Sequence, residues 1–178
     1  MSLWKLRIAT CLLLFNCLAC ASGDDDELAD SVNTTPGPTM RPGENCLRCH
    51  NPLGEAKTRV WSAAGTVFPM LDAERTEGVA AVDVVFSDEN GKVVTTVTTN
   101  DVGNFYTAAP LPDPFFVRLE FEGERIEMPC APPAGSCNAC HSKNPVGFAP
   151  GRIYLPGAHP PSGPFDCEDW QAGGSGRP

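Results

Sequence analysis

Val79-Ala80-Ala81-Val82-Asp83-Val84-Val85-Phe86-Ser87, then Asp88-Glu89-Asn90-Gly91, then Lys92-Val93-Val94-Thr95-Thr96-Val97-Thr98-Thr99 is the run that decides the fold. In an extended chain successive side chains point to opposite faces, so Val82, Val84 and Phe86 share one face. In the second arm Val93, Thr95 and Val97 alternate with Val94, Thr96 and Thr98, and such β-branched runs suit a pleated sheet. Between the arms, Asn90-Gly91 supplies the positive φ that a tight hairpin needs. The same reading extends outward. Trp61–Phe68 is an upstream strand. Asn100-Asp101-Val102-Gly103 turns into Asn104–Thr107. Phe115, Val117, Leu119 and Phe121 alternate with Phe116, Arg118, Glu120 and Glu122, the pattern of a half-buried strand. Glu122-Gly123-Glu124 then turns into Arg125–Met128. Short strands at this spacing predict an antiparallel β-sandwich over residues 60–128. About 70 residues of this kind hold a modest core by themselves.

Within that block, Ala64-Gly65-Thr66-Val67 makes a Gly-x-Val opening, and Gly78-Val79 leads into Val82-Asp83-Val84. Asn90-Gly91 marks the hairpin, and Thr98-Thr99-Asn100-Asp101-Val102-Gly103-Asn104-Phe105 contains a Thr-x-x-x-Gly-x-Phe turn. In these residues the block resembles the carboxypeptidase regulatory-like, or transthyretin-like, domain family. The resemblance covers about two fifths of the chain. It implies an immunoglobulin-like sandwich that serves binding, folding support or oligomer contacts, with no catalysis. The expected class is therefore mainly β: an immunoglobulin-like or transthyretin-like antiparallel sandwich flanked by two loop-rich segments.

Those flanking segments carry the chemistry. The chain has three histidines, and two of them complete a C-x-x-C-H sequence: Cys46-Leu47-Arg48-Cys49-His50 and Cys137-Asn138-Ala139-Cys140-His141. That spacing attaches a c-type haem: two thiols add across the vinyl groups, and the next residue's imidazole binds the iron. Two such motifs predict two covalently attached c-type haems on Cys46, Cys49, His50, Cys137, Cys140 and His141, and hence a dihaem electron carrier.

Two low-spin irons need four axial ligands. His50 and His141 give two, and His159 is the third imidazole. His159 is expected as a distal ligand, from the loop Gly157-Ala158-His159-Pro160-Pro161. The fourth position falls to a methionine, an open site or a group from another chain; Met70, after Phe68-Pro69, or Met128, just before Cys130, is the candidate, with core packing as the ordinary role of each. Met40 is a further methionine in the tether. Phe148, Ile153 and Tyr154 are candidates to cover a haem face. Arg152 is read either as a propionate partner or as a solvated loop charge, and Trp61 and Trp170 either as haem contacts or as core.

Met1–Ala19 reads as an export leader. Lys5 and Arg7 form its positive end, and Ile8–Ala19 is apolar but too short to span a bilayer. Leu18-Ala19-Cys20, followed by Ala21-Ser22-Gly23, resembles a bacterial lipobox with Cys20 as the lipidated residue; Cys17 stands where that motif usually has Leu. Of nine cysteines, cleavage before Cys20 leaves seven. Lipid takes Cys20 and haem takes four, and in an oxidising compartment Cys130 and Cys167 are expected to pair as a disulfide. Residues 20–43, with Asp24-Asp25-Asp26-Glu27 and many Ser, Asn, Thr, Pro and Gly, are expected to form a flexible tether. Such a tether reaches roughly 25–30 Å from a membrane. The domain order is then leader 1–19, lipid-anchored tether 20–43, first haem segment 44–59, sandwich 60–128, and second haem segment with a Pro/Gly-rich tail 129–178.

The formal charge of −9 becomes about −11 once Lys5 and Arg7 leave with the leader. That excludes nucleic acid as a partner, which needs a basic footprint, and suits docking on basic redox partner proteins of the envelope. A lipid anchor is the expected membrane link, and the lack of Asp after Cys20 favours the outer membrane by resemblance to lipoprotein sorting. Three other readings compete. The four paired cysteines offer a structural Cys₄ zinc site in an envelope-binding sandwich, though this leaves the two adjacent histidines without a task. A haem peroxidase or sensor with one open iron is the enzymatic reading; Asp166, Glu168 and Asp169 read there as solvated charges. A surface-binding sandwich with secondary haems is the last.

Overall fold

The computed structural model describes residues 33–147, 149–158 and 167. Its strands are β1 (Ala63–Phe68), β2 (Asp83–Ser87), β3 (Val93–Thr98), β4 (Asn104–Thr107), β5 (Phe116–Phe121), β6 (Glu124–Glu127) and β7 (Ile153–Tyr154). A 3-10 turn at Cys46–Arg48 and one helical turn, α1 (Cys137–Cys140), fall within the two C-x-x-C-H segments. The molecule is mainly β, as predicted.

Turn chemistry joins the strands. Asp88 opens the β2–β3 hairpin: its Oδ1 accepts the amides of Asn90 (2.9 Å) and Lys92 (3.0 Å), while the Gly91 amide donates to the Asp88 carbonyl. Gly91 has φ +75°, whereas Asn90 stays in the ordinary region. The turn is thus a three-residue loop with the left-handed residue last, not a two-residue Asn-Gly turn. Asn100 repeats the device, its Oδ1 accepting from Val102 and Asn104, with Gly103 at φ +77°. The β5–β6 hairpin does use a two-residue turn, Glu122 (φ +51°) and Gly123 (φ +86°).

The strands form two sheets. One is four-stranded and antiparallel, in the order β3-β2-β5-β6. The other runs β4-β1-β7, with β1 antiparallel to β4 and parallel to the two-residue β7. The strand expected over Val79–Ser87 begins later, at Asp83. Ala81 takes φ +61°, so the chain turns there. Val79 hydrogen-bonds to Val67 of β1, whereas Val82 bonds to Thr99 at the end of β3. The segment crosses from one sheet to the other. β7 was not expected from the Pro/Gly-rich tail; it exists because Val67 and Phe68 offer it an edge.

The inner faces pack together. Val82, Val84 and Phe86 are buried, as their alternation predicts, against Ala63, Val67, Phe105, Phe115 and Leu119. Phe86 sits between Phe105 (6.4 Å) and Phe115 (6.1 Å) in tilted contacts. All six residues of β1 are buried, on both faces. One face meets the four-stranded sheet. The other is covered by the two segments that carry the C-x-x-C-H motifs. Among the described residues no helix is long and apolar enough to cross a membrane.

Candidate functional site

Thr66, at the centre of β1, organises the outer face. Its Oγ1 accepts the Gly43 amide (2.8 Å) and donates to Asn104 Oδ1 (2.8 Å). Asn104 Nδ2 in turn donates to the carbonyls of Met40 (2.9 Å) and Pro38 (3.3 Å). Pro38, Met40 and Gly43 are therefore hydrogen-bonded to the sandwich. Two arginines hold the next few residues. Arg75, 5% exposed, donates through Nε to the Pro42 carbonyl (2.9 Å) and pairs with Glu44 (2.7 Å), which Arg41 also meets at 3.1 Å. The first motif follows directly.

The second motif reaches the same strand from the other end of the chain. Gly135 lies against its start, where a Cβ would stand 1.9 Å from the Ser62 carbonyl. Only a glycine allows that approach, which lets the Ala64 amide donate to the Gly135 carbonyl (2.9 Å). Buried Asn138 then ties the two motifs together. Its amide donates to the Glu44 carbonyl (3.0 Å) and to Thr66 Oγ1 (3.2 Å), and its Oδ1 accepts the Thr66 amide. Ser136 Oγ donates to Asn45 Oδ1. The segments expected at the two ends of the sandwich lie side by side.

The two motifs are built alike. In each, the histidine amide donates to the carbonyl of the first cysteine, at 3.0 Å for His50 and 2.9 Å for His141. In each, that cysteine's Sγ lies 3.5 Å from the carbonyl two residues earlier. In each, histidine Nδ1 meets a main-chain carbonyl further on: Arg59 for His50 (2.8 Å) and Gly151 for His141 (3.1 Å). A carbonyl only accepts, so Nδ1 carries a proton in each ring, and in the neutral tautomer Nε2 holds the lone pair. Burial lowers the His141 pKa, keeping the ring neutral. His50 is buried too, stacked on Trp61 at 3.6 Å and 10°, and Trp61 stacks on Tyr106 at 4.4 Å.

The four motif cysteines are free thiols, whereas Cys130 and Cys167 are joined in a disulfide. Burial pushes the Cys46 thiol up to about 11, with the Glu44 and Cys49 charges adding to it. Burial, then the neighbouring Cys46, pushes Cys137 to about 12; burial also raises Cys140. These thiols stay protonated at neutral pH. Several large apolar side chains are left exposed beside the motifs: Leu53 (96%) and Val60 after the first, Val146 after the second. Among the described residues no three His, Cys, Asp or Glu side chains converge as a metal-holding group.

The remaining candidates are scattered. Met70 is half-exposed in the loop after β1, next to Leu71, whose carbonyl accepts the Arg152 amide. Met128 lies on the far sheet, bonded to Val117 of β5. Arg152 is not a solvated loop charge. It is fully buried, with Nε donating to the Ala73 carbonyl (2.7 Å) and its guanidinium 4.5 Å over the Phe68 ring. Tyr154 is buried and Ile153 half-buried in β7. The leader, Cys20, the rest of the tether, Phe148, His159, Asp166, Glu168, Asp169 and Trp170 lie outside the described residues. Sequence reasoning missed Arg75, Asn138, Thr66 and Gly135; their roles depend on partners distant in the chain. Comparison with family models, with curated proteins and with solved structures finds no match to this chain.

Proposed function

We propose that this chain is an exported c-type cytochrome with two covalent haems, carrying electrons at the bacterial cell envelope. The observation that carries the reading is the repeated construction of the motifs. Each histidine donates its Nδ1–H in a hydrogen bond to a main-chain carbonyl, which leaves Nε2 to bind an iron. Such a bond from the outer nitrogen fixes both the tautomer and the ring orientation of a metal-ligating histidine. The donor set also fits the group: paired reduced thiols next to each imidazole, and exposed Leu53, Val60 and Val146 that a flat apolar macrocycle would cover.

Cys46, Cys49 and His50 would hold one haem, and Cys137, Cys140 and His141 the other. When bound, haem supplies a one-electron iron couple. The protein orients the imidazoles through Arg59 and Gly151 and holds both segments on β1. The sandwich acts as scaffold, and redox partner proteins act as donor and acceptor. Cys20 supplies the lipid anchor.

The test is expression with a c-type maturation system, followed by a denaturing-gel haem stain and a reduced pyridine haemochrome spectrum. Two covalent haems per chain is the expected result. No covalent haem, with zinc bound instead, would overturn it.

A further inference from the structure

We infer that the two attachment motifs form one paired centre, with the haems lying against each other, rather than two independent sites. The inference rests on the dihaem reading above and deepens it. Asn138 belongs to the second motif, yet its amide donates to the carbonyl of Glu44, two residues before the first cysteine of the other motif (3.0 Å). Ser136 and Asn45, the residues immediately preceding Cys137 and Cys46, are bonded to each other. Both motifs are fastened to the same strand through Thr66 and Ala64. Cys46 and Cys137 each follow directly on this bonded pair, Asn45 and Ser136, and so sit side by side on one support.

Each of these sulfurs would carry one thioether bond of its own haem. The two macrocycles would then be attached at neighbouring points of one support, the pair of helical turns that β1 holds. The electron balance is simple: each iron takes one electron, Fe(III) to Fe(II), with no bond made or broken and no atom transferred. An electron placed on one haem opposes the second through Coulomb repulsion, which is strong between close, partly buried charges. The pair therefore titrates in two macroscopic steps that belong to the pair, not to either haem.

The experiment uses the full-length holoprotein. Haemochrome first counts the haems, and a count below two overturns both the dihaem reading and the pair. With two haems present, a mediated titration with dithionite is compared with two single-haem variants, Cys46→Ala with Cys49→Ala, and Cys137→Ala with Cys140→Ala. The expected result is a wild-type curve wider than the sum of the variants, its second step displaced to lower potential. A wild-type curve equal to that sum overturns the pair while the dihaem reading stands. Should the variants not fold, electron paramagnetic resonance of the oxidised wild type decides. Spin-coupled, broadened signals are expected. Two sharp independent low-spin signals that integrate to two spins overturn the proposal.

Discussion

Trp61 joins the first motif to the sandwich, stacked between His50 and Tyr106. On the dihaem reading, Trp61→Leu frees the His50 ring. The potentials and resonance spectrum of the haem pair should change, and Trp61→Phe should restore much of the difference. His159→Ala tests the distal-ligand expectation: one haem should turn high-spin in the visible spectrum. The ionisations give a prediction for the chain without any bound group. Cys46 and Cys137 are raised above the ordinary 9.0, so the folded chain holds protons that the unfolded chain releases above pH 9, and stability falls as pH rises from 9 toward 12. His141 is lowered from 6.5, so the unfolded chain binds the extra proton and stability falls as pH drops below about 6.5. Urea melts should show a plateau between those limits. Its alkaline edge should vanish in the holoprotein, because thioethers do not titrate. The C-x-x-C-H motifs were legible in the sequence because all their chemistry lies within five residues. Buried Arg75 and Arg152 were not, since they are held by the carbonyls of Pro42 and Ala73, 33 and 79 residues away.

Among the elements, β2 and β5 were legible from alternation, and Val84, Phe86 and Leu119 are buried as that pattern requires, while Val117 and Phe121 are half-buried. Edge strands follow the same rule less clearly: β3 leaves Val93 and Val94 exposed. The crossing at Ala81 was not legible, because a positive φ at alanine comes from bonds on two different sheets and not from its own preference. The hairpins give local tests. Glu122 holds φ +51° in a turn that favours Asn or Gly, so Glu122→Asn should raise stability by roughly 0.4–1 kcal/mol in thermal or urea melts. Gly135→Ala acts the other way. Its Cβ would meet the Ser62 carbonyl at 1.9 Å, so the second segment must shift off β1, at a cost of about 1–3 kcal/mol.

For the whole molecule, β1 is the member on which everything converges: a sheet partner on either side, the core beneath and both motif segments above. The Cys130–Cys167 bridge fastens the tail across 37 residues, and its reduction should cost about 2–4 kcal/mol, read as a lowered urea midpoint with thiol reagent present. Two-sheet architecture was legible from strand count and turns. The meeting of the two motifs was not, because residues 45 and 136 stand 91 positions apart and no local pattern records such a contact. That distance also sets a timetable. Contacts between remote parts of a chain form late, since the closure entropy of a long loop must be overcome first. The hairpins close early, while the strap from Asn138 to Glu44, spanning 94 residues, closes near the end. Until then the motif thiols are solvated and reactive; afterwards burial holds Cys46, Cys137 and Cys140 protonated. On the dihaem reading, slow closure leaves an interval in which a maturation enzyme can work, and a variant that closed the strap sooner would shorten it.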